Sequence, residues 1–166
     1  EIQFTRSGRL VGAQIDTYLL EKVRLVTQSN GERNYHIFYE MLSGSIGAEE
    51  LRNYFIASTA SPDDFRITAS GTLDRRDGVS DKDTCRALQS AMKTMKFSAE
   101  EQRDVFAAAA AILHASNLTF CDLDEYCSLD ARNVHLEPVC HLLGVTIEDL
   151  NQALCHFSIT AGRDTH

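Results

Sequence analysis

No apolar run in these 166 residues approaches the roughly 20 needed for a membrane-spanning helix. The longest candidate, Val105 to Leu113, is mostly alanine. Positive charge is also short: 16 Lys and Arg stand against 24 Asp and Glu, a net charge of −8. Generic binding to nucleic acid or to anionic lipid wants a basic face. Neither nucleic acid nor membrane is therefore an expected partner, although a local basic contact stays open. Phosphate-cradling and nucleophile motifs are missing too. There is no G-x-x-x-x-G-K-S/T loop, no G-x-G-x-x-G and no G-x-S-x-G. Read residue by residue, the chain holds no complete active site. An N-terminal Met and a signal peptide are absent, and Glu1 to Phe4 already reads as strand. A start inside an element leads us to expect a fragment or a processed piece. Five cysteines, Cys85, Cys121, Cys127, Cys140 and Cys155, are an odd number without a paired framework. Reduced thiols in a cytosolic protein are the simplest expectation.

What is present is an ordinary globular composition, 43% hydrophobic and 24% charged, which argues against disorder. The length suffices for one domain with a core. Glu1 to Phe4 and Leu10 to Leu19 read as strands joined by a polar turn, where Gly8 can supply a positive φ. Val11, Ala13, Ile15, Thr17 and Leu19 share one face of the second strand. Leu20 to Gln28 is ambiguous, and Ser29-Asn30-Gly31 marks a turn. Asn34 is placed to cap a helix from Tyr35 to Leu42 that closes near Gly44. A short helix is expected over Ala48 to Phe55. Ser58 to Gly78 reads as irregular, with an extended piece at Phe65 to Ile67.

Two clear helices follow. Ser80 caps the first, with Asp83 three residues on, and Cys85, Leu88, Met92 and Met95 fall on one face. Ser98 and Glu101 form a capping-box pattern ahead of the second. Val105, Ala109 and Ile112 form its expected buried stripe, widened by Phe106 and Leu113, and the helix stops near Asn117. Leu118 to Phe120 looks like a strand start, and Cys121 to Asp130 like an acidic loop. Val134 to Leu143 is helical with Pro138 in its first turns, and Gly144 ends it. Thr146 caps a last helix with Ile147, Leu150, Leu154 and Phe157 at heptad spacing. Ser158 to His166 reads as a polar tail.

Metal chemistry finds little footing. Cys140-His141 and Cys155-His156 are doublets with His135 near, but neighbours on a helix point about 100° apart, and zinc sites favour wider spacings. The cysteines read as small buried hydrophobes. Asp122, Asp124 and Asp130 lack the central Gly and closing Glu of a calcium loop. His36 and His114 read as packing or hydrogen-bonding residues.

One family resemblance does emerge. Thr17-Tyr18-Leu19-Leu20-Glu21-Lys22 and Gly31-Glu32-Arg33-Asn34-Tyr35-His36-Ile37-Phe38-Tyr39 resemble the segment that follows switch I in the myosin motor domain. Phe97 to Gln102, then Ala111 to His114 with Asn117 and Phe120, resembles that family's two-helix signature. Leu142 to Val145 with Leu150, Ala153 and Leu154 is similar to its next helix pair. Ala161 to Asp164 resembles the start of its actin-contacting loop. The likeness covers most of the chain in order and is weak only over Leu51 to Gly78.

The resemblance implies an α+β, predominantly helical piece. An N-terminal β-hairpin would belong to the larger central sheet of a P-loop NTPase-type motor, with a helical subdomain after it. Residues 1–28 would be transducer strands, 29–157 upper actin-binding subdomain helices, and 158–166 the start of the actin-contacting loop. It implies a cytoplasmic, cytoskeleton-associated motor that couples ATP hydrolysis to movement along actin. ATP and Mg would be held in the parent, at a P-loop, switch I and switch II outside these residues. The expected partners are the actin filament and the remainder of the heavy chain. Phe157, Ser158, Ile159, Arg163 and Asp164 would contact actin, and Asp122, Asp124 and Glu125 would sit in a second actin-facing loop. That loop has no Lys, where the family commonly offers basic residues. Asp164 matches a regulatory position filled in the family by an acidic residue or a phosphorylatable Ser or Thr, with Thr165 adjacent. Composition and helix pattern fit a non-enzymatic helical interaction module as well; the ordered anchors from Ile15 to Asp164 favour the motor.

Overall fold

The computed structural model describes residues 1–16, 18, 20–29, 31–71, 77–123, 126–156, 160, 161, 164 and 165. These are predominantly helical. Strands β1 (Ile2–Phe4) and β2 (Leu10–Ala13) pair antiparallel, with Ile2 opposite Ala13. Gly8 takes φ +79° in the connecting turn, where an L side chain would be strained. The second strand is shorter than the expected Leu10 to Leu19, because pairing stops at the contact of Glu1 with Gln14. A strand persists only while it has backbone partners. Thr17 and Leu19 lie outside the described residues. The face shared by Val11 and Ile15 is uncovered, at 61% and 88% exposure.

A 3-10 turn (Lys22–Leu25) leads to α1 (His36–Met41) and α2 (Ala48–Asn53). The expected extended piece at Phe65 to Ile67 is instead the entry to a short helix, α3 (Arg66–Ala69). Ser61 and Asp64 form a capping box around the 3-10 turn Pro62–Asp64 just before it. Only Phe65 keeps extended dihedrals. α4 (Asp81–Thr94) buries Cys85 and Met92, while Met95 falls at its C-cap and stays 69% exposed. Ser80 holds the N-cap position of α4 as expected, but its side chain makes no capping bond. α5 (Ala99–Ser116) carries the expected capping box, with Glu101 N–H to Ser98 Oγ at 3.1 Å and Ser98 N–H to Glu101 Oε2 at 2.7 Å.

The buried stripe of α5 is rotated from the expected one. Phe106, Ala109, Ala110, Ala111, Leu113 and His114 are buried, whereas Val105 and Ile112 are 42% and 37% exposed. The alanine run reads as apolar on every side, so periodicity alone leaves the inward side undecided. The expected acidic loop from Cys121 to Asp130 is mostly a hairpin, β3 (Phe120–Leu123) with β4 (Tyr126–Leu129). Cross-strand hydrogen bonds outweigh the loop-like composition there. α6 (Leu136–Leu143) ends at Gly144, whose φ of +66° makes it a left-handed C-cap. Thr146 Oγ1 accepts from Asp149 N–H at the start of α7 (Ile147–Cys155). On α7 only Leu150 is buried; Ile147 and Leu154 are exposed, and Phe157 lies outside the described residues. The expected polar tail includes a further antiparallel pair, β5 (Thr160–Ala161) with β6 (Asp164–Thr165).

Two apolar cores result. The larger joins Phe38, Tyr39 and Met41 of α1 to Leu51 of α2, Phe65, Cys85 and Met92 of α4, and Phe106, Ala110 and Leu113 of α5. The smaller joins Leu118, Leu129, Leu136, Val139, Cys140 and Leu150, with Cys155 against it. Replacing Leu113 by Ala should therefore cost about 2–5 kcal/mol in urea unfolding. Ile112→Ala should cost below about 1 kcal/mol; the reverse order would show that α5 is turned the other way.

Candidate functional site

The stretch from Gly31 to Tyr39 is a structural joint rather than a catalytic one. Asn34 was expected to cap α1, but Tyr35 holds the N-cap position. Asn34 is 3% exposed and bonds in several directions. Its Nδ2 donates to the carbonyls of Ile67 at 3.0 Å and Leu25 at 3.3 Å, and its Oδ1 accepts from Tyr35 N–H at 2.7 Å. Its backbone N–H donates to Tyr39 Oη, which donates in turn to the carbonyl of Thr68. Arg33 stacks on the Tyr39 ring at 3.8 Å and pairs with Asp81 of α4 at 2.7 Å. Arg24 binds Glu21, Glu32 and the carbonyl of Arg33. Charge thus ties this stretch to α4, and the Asn34 amide and Tyr39 hydroxyl tie it to α3.

A second polar group joins the two cores. Asn117, the C-cap of α5, receives the N–H of Arg66 on Oδ1 and donates from Nδ2 to the carbonyl of Asp64 at 2.7 Å and to His135 Nε2 at 3.2 Å. His135 Nδ1 lies 2.9 Å from His114 Nδ1, and His114 Nε2 lies 2.9 Å from the carbonyl of Tyr54. A carbonyl only accepts, so His114 carries its proton on Nε2. Its Nδ1 then accepts from His135 Nδ1–H, and His135 Nε2 accepts from Asn117. The Phe65 ring packs edge-on against both imidazoles. Burial pushes both histidines below the ordinary value, with the neighbouring His135 lowering His114 further and the Tyr54 carbonyl opposing. Burial, reinforced by Glu50, pushes the Tyr54 phenol up to about 12. Neither histidine faces a nucleophile, in line with the reading of His114 as a hydrogen-bonding residue.

Surface residues named by the resemblance divide between described and undescribed positions. Asp122 sits on β3 opposite Cys127 of β4 and is exposed. Phe120 and Tyr126 beside it are 52% and 60% exposed, so the hairpin presents aromatic as well as acidic surface. Asp130 turns back on its own chain: the N–H of Arg132 binds its Oδ1 at 3.0 Å and holds its carboxyl below the usual range. Asp164 lies on β6 with its backbone opposite Ala161. Asp124, Glu125, Phe157, Ser158, Ile159 and Arg163 lie outside the described residues. The hairpin and α7 meet directly, since Leu129 N–H donates to Asn151 Oδ1 at 2.8 Å.

Among the described residues no group of three or more His, Cys, Asp or Glu is arranged to hold a metal ion. No described helix is long and apolar enough to cross a membrane. Sequence reading took Asn117 only as a helix stop and missed Asn133 and the His114–His135 pair. Asn133 bridges the Asn117 carbonyl and Thr119 Oγ1 at 2.9 Å each and receives His135 N–H. The one available signal was an Asn at a helix end with no glycine after it.

The histidine pair sets a pH dependence. Both imidazoles have folded pKa values below the unfolded value of about 6.5. Their contribution is complete above that value and is lost as pH falls below it, because the unfolded chain then binds more protons. The urea midpoint should drop from pH 7 to pH 5, and His135→Asn should show a shallower drop. Equal slopes in the two proteins would show that His135 contributes nothing to the pH dependence.

Comparison with known proteins bears on the whole chain. The sequence model of the family described as Myosin head (motor domain) matches residues 1–166. Unconventional myosin IC of Drosophila melanogaster is 37% identical over 166 residues, covering 99% of this chain and 16% of that protein. Unconventional myosin-Vc of Homo sapiens is 35% identical over 99% of this chain and 9% of its own length. Myosin type-2 heavy chain 1 of Schizosaccharomyces pombe is 37% identical over 99% of this chain and 10% of its own length. The chain thus spans between about a tenth and a sixth of these relatives.

Proposed function

The chain belongs to the myosin head (motor domain) family, and from that premise we propose that it is one part of an actin-based motor that couples ATP hydrolysis to movement along actin filaments. The observation that carries this reading is the match of the family model across all 166 residues. Within the motor this part supplies actin-binding surface and coupling between nucleotide state and actin affinity. ATP and Mg are held elsewhere in the parent, since no phosphate-cradling motif occurs here. The hairpin β1–β2 is a pair of transducer strands in a larger central sheet. Its uncovered apolar side chains, Ile2, Phe4, Leu10, Val11 and Ile15, support that placement, because each would be buried by a neighbouring layer.

The actin-facing surface comprises Phe157, Ser158, Ile159, Arg163 and Asp164, with Asp122, Asp124 and Glu125 beside it. What supports a common surface is the direct seat of the β3–β4 hairpin on α7, which leads into β5–β6. Asp164 is the regulatory acidic position, a permanent carboxylate where a phosphate would otherwise supply charge on demand. Partners are the actin filament and the remainder of the heavy chain, and the working place is the cytoskeleton in the cytoplasm.

Two measurements test this reading. The 166-residue chain by itself should hydrolyse no ATP above the buffer rate in a phosphate-release assay, and turnover that copurifies with the protein would refute the assignment. In the intact motor, Asp164→Ala should weaken actin cosedimentation roughly severalfold at low salt, and Asp164→Glu should retain it. Equal binding by both variants would remove Asp164 from the actin surface.

A further inference from the structure

We propose that Cys127 and Cys155 form an oxidisable dithiol, a modification site at which peroxide closes a disulfide between strand β4 and the end of helix α7. The proposal is independent of the actin reading. It rests on the registry of the two elements. Asn151 Oδ1 accepts the Leu129 N–H at 2.8 Å, which locks α7 to β4 at that point. Cys155 lies one helical turn beyond Asn151, about 6 Å along the helix. Cys127 lies two residues before Leu129, about 7 Å along the strand and on the same strand face. The two steps are similar in length, and Cys155 packs against the apolar cluster that holds Leu129 and Leu150, which brings the end of α7 beside β4. The Cys127 thiol is near enough to act on the ionisation of Cys155. Both are half-buried rather than sealed, so a small oxidant can reach them.

The other cysteines are excluded by position. Cys121 pairs with Ser128 across the hairpin, so it projects from the face opposite Cys127. Cys140 is 7% exposed within the smaller core, and Cys85 is fully buried in the larger one. Burial first, and then the neighbouring Cys127 thiol, raise Cys155 above the ordinary thiol range. The thiolate is the nucleophile, so oxidation should be slow at neutral pH and quicken in mild alkali.

The chemistry balances with hydrogen peroxide as oxidant. One thiolate attacks a peroxide oxygen, the O–O bond breaks, and a sulfenic acid forms with release of hydroxide, which takes a proton to become water. The second thiolate attacks the sulfenyl sulfur. The S–S bond forms, the S–O bond breaks, and the departing oxygen leaves as a second water. Two thiols and one peroxide yield one disulfide and two waters. Closure needs the sulfurs to approach to about 2 Å. The bond would pin the last turn of α7 to the hairpin and restrict how the following residues leave that helix.

The test is dilute hydrogen peroxide at pH 8 on the intact protein, then alkylation of free thiols and peptide mass spectrometry without reductant. A Cys127–Cys155 crosslink is expected, reversed by dithiothreitol. Cys121→Ser and Cys140→Ser should keep it, and Cys127→Ser and Cys155→Ser should each abolish it. Hydrogen exchange of the oxidised protein should slow in β4 and in the last turn of α7, roughly tenfold. Alkylation of both thiols after peroxide, or a crosslink that survives in Cys127→Ser, would overturn the proposal.

Discussion

The buried amide of Asn34 is the constraint on which the larger part of the fold depends. It sits where three backbone segments converge and answers a polar group on each: the carbonyl of Leu25, the carbonyl of Ile67 and the N–H of Tyr35. Unmade, each would cost about 1–3 kcal/mol as a buried unsatisfied group. An apolar residue of the same size would leave those groups orphaned. The hydroxyl of Tyr39 extends the joint to Thr68. It does so across Gly71, where an added Cβ would collide with Tyr39 Oη and stand 3.2 Å from the Glu32 carbonyl. Gly71 is therefore held to glycine by space and not by its dihedrals.

Around that joint the helices assemble in an order set by side-chain shape. Met41, Cys85 and Leu113 are fully buried, from α1, α4 and α5, and Phe106 is nearly so. The alanines at 109–111 let neighbouring elements approach α5 closely. The second core, under α6 and α7, is smaller and is tied to the first by polar contacts through Asn117, His135 and His114. A polar seam between two apolar cores specifies one geometry, since its donors and acceptors are matched to one another. The same seam makes the relation between the cores sensitive to protonation, which an apolar seam would not be.

Much of the element order was legible. The capping box at Ser98 and Glu101, the Thr146 cap, the Gly144 stop and the Gly8 turn are local signals, and each is met by a local hydrogen bond or a positive φ. The inward side of α5 was not legible, because a run of alanine gives periodicity nothing to measure. The helix at α3 was hidden inside polar sequence, since its capping box begins at Ser61 in a stretch that otherwise reads as loop. The β3–β4 hairpin was hidden by acidic residues, whose composition suggests solvent while their backbone pairs across the turn.

By itself the sequence determined the family and the local punctuation of the chain: where helices begin and where they stop. These depend on neighbours a few residues apart, or on ordered wording along the chain. Only the tertiary structure decided that Asn34 bridges rather than caps, that His114 meets His135 21 residues away, and that α7 returns to β4 through Asn151 and Leu129. An Asn before an apolar run looks the same whether its amide turns to its own helix or to a distant carbonyl. Which of the two it does is set by what packs against it, and packing joins residues that the chain keeps far apart.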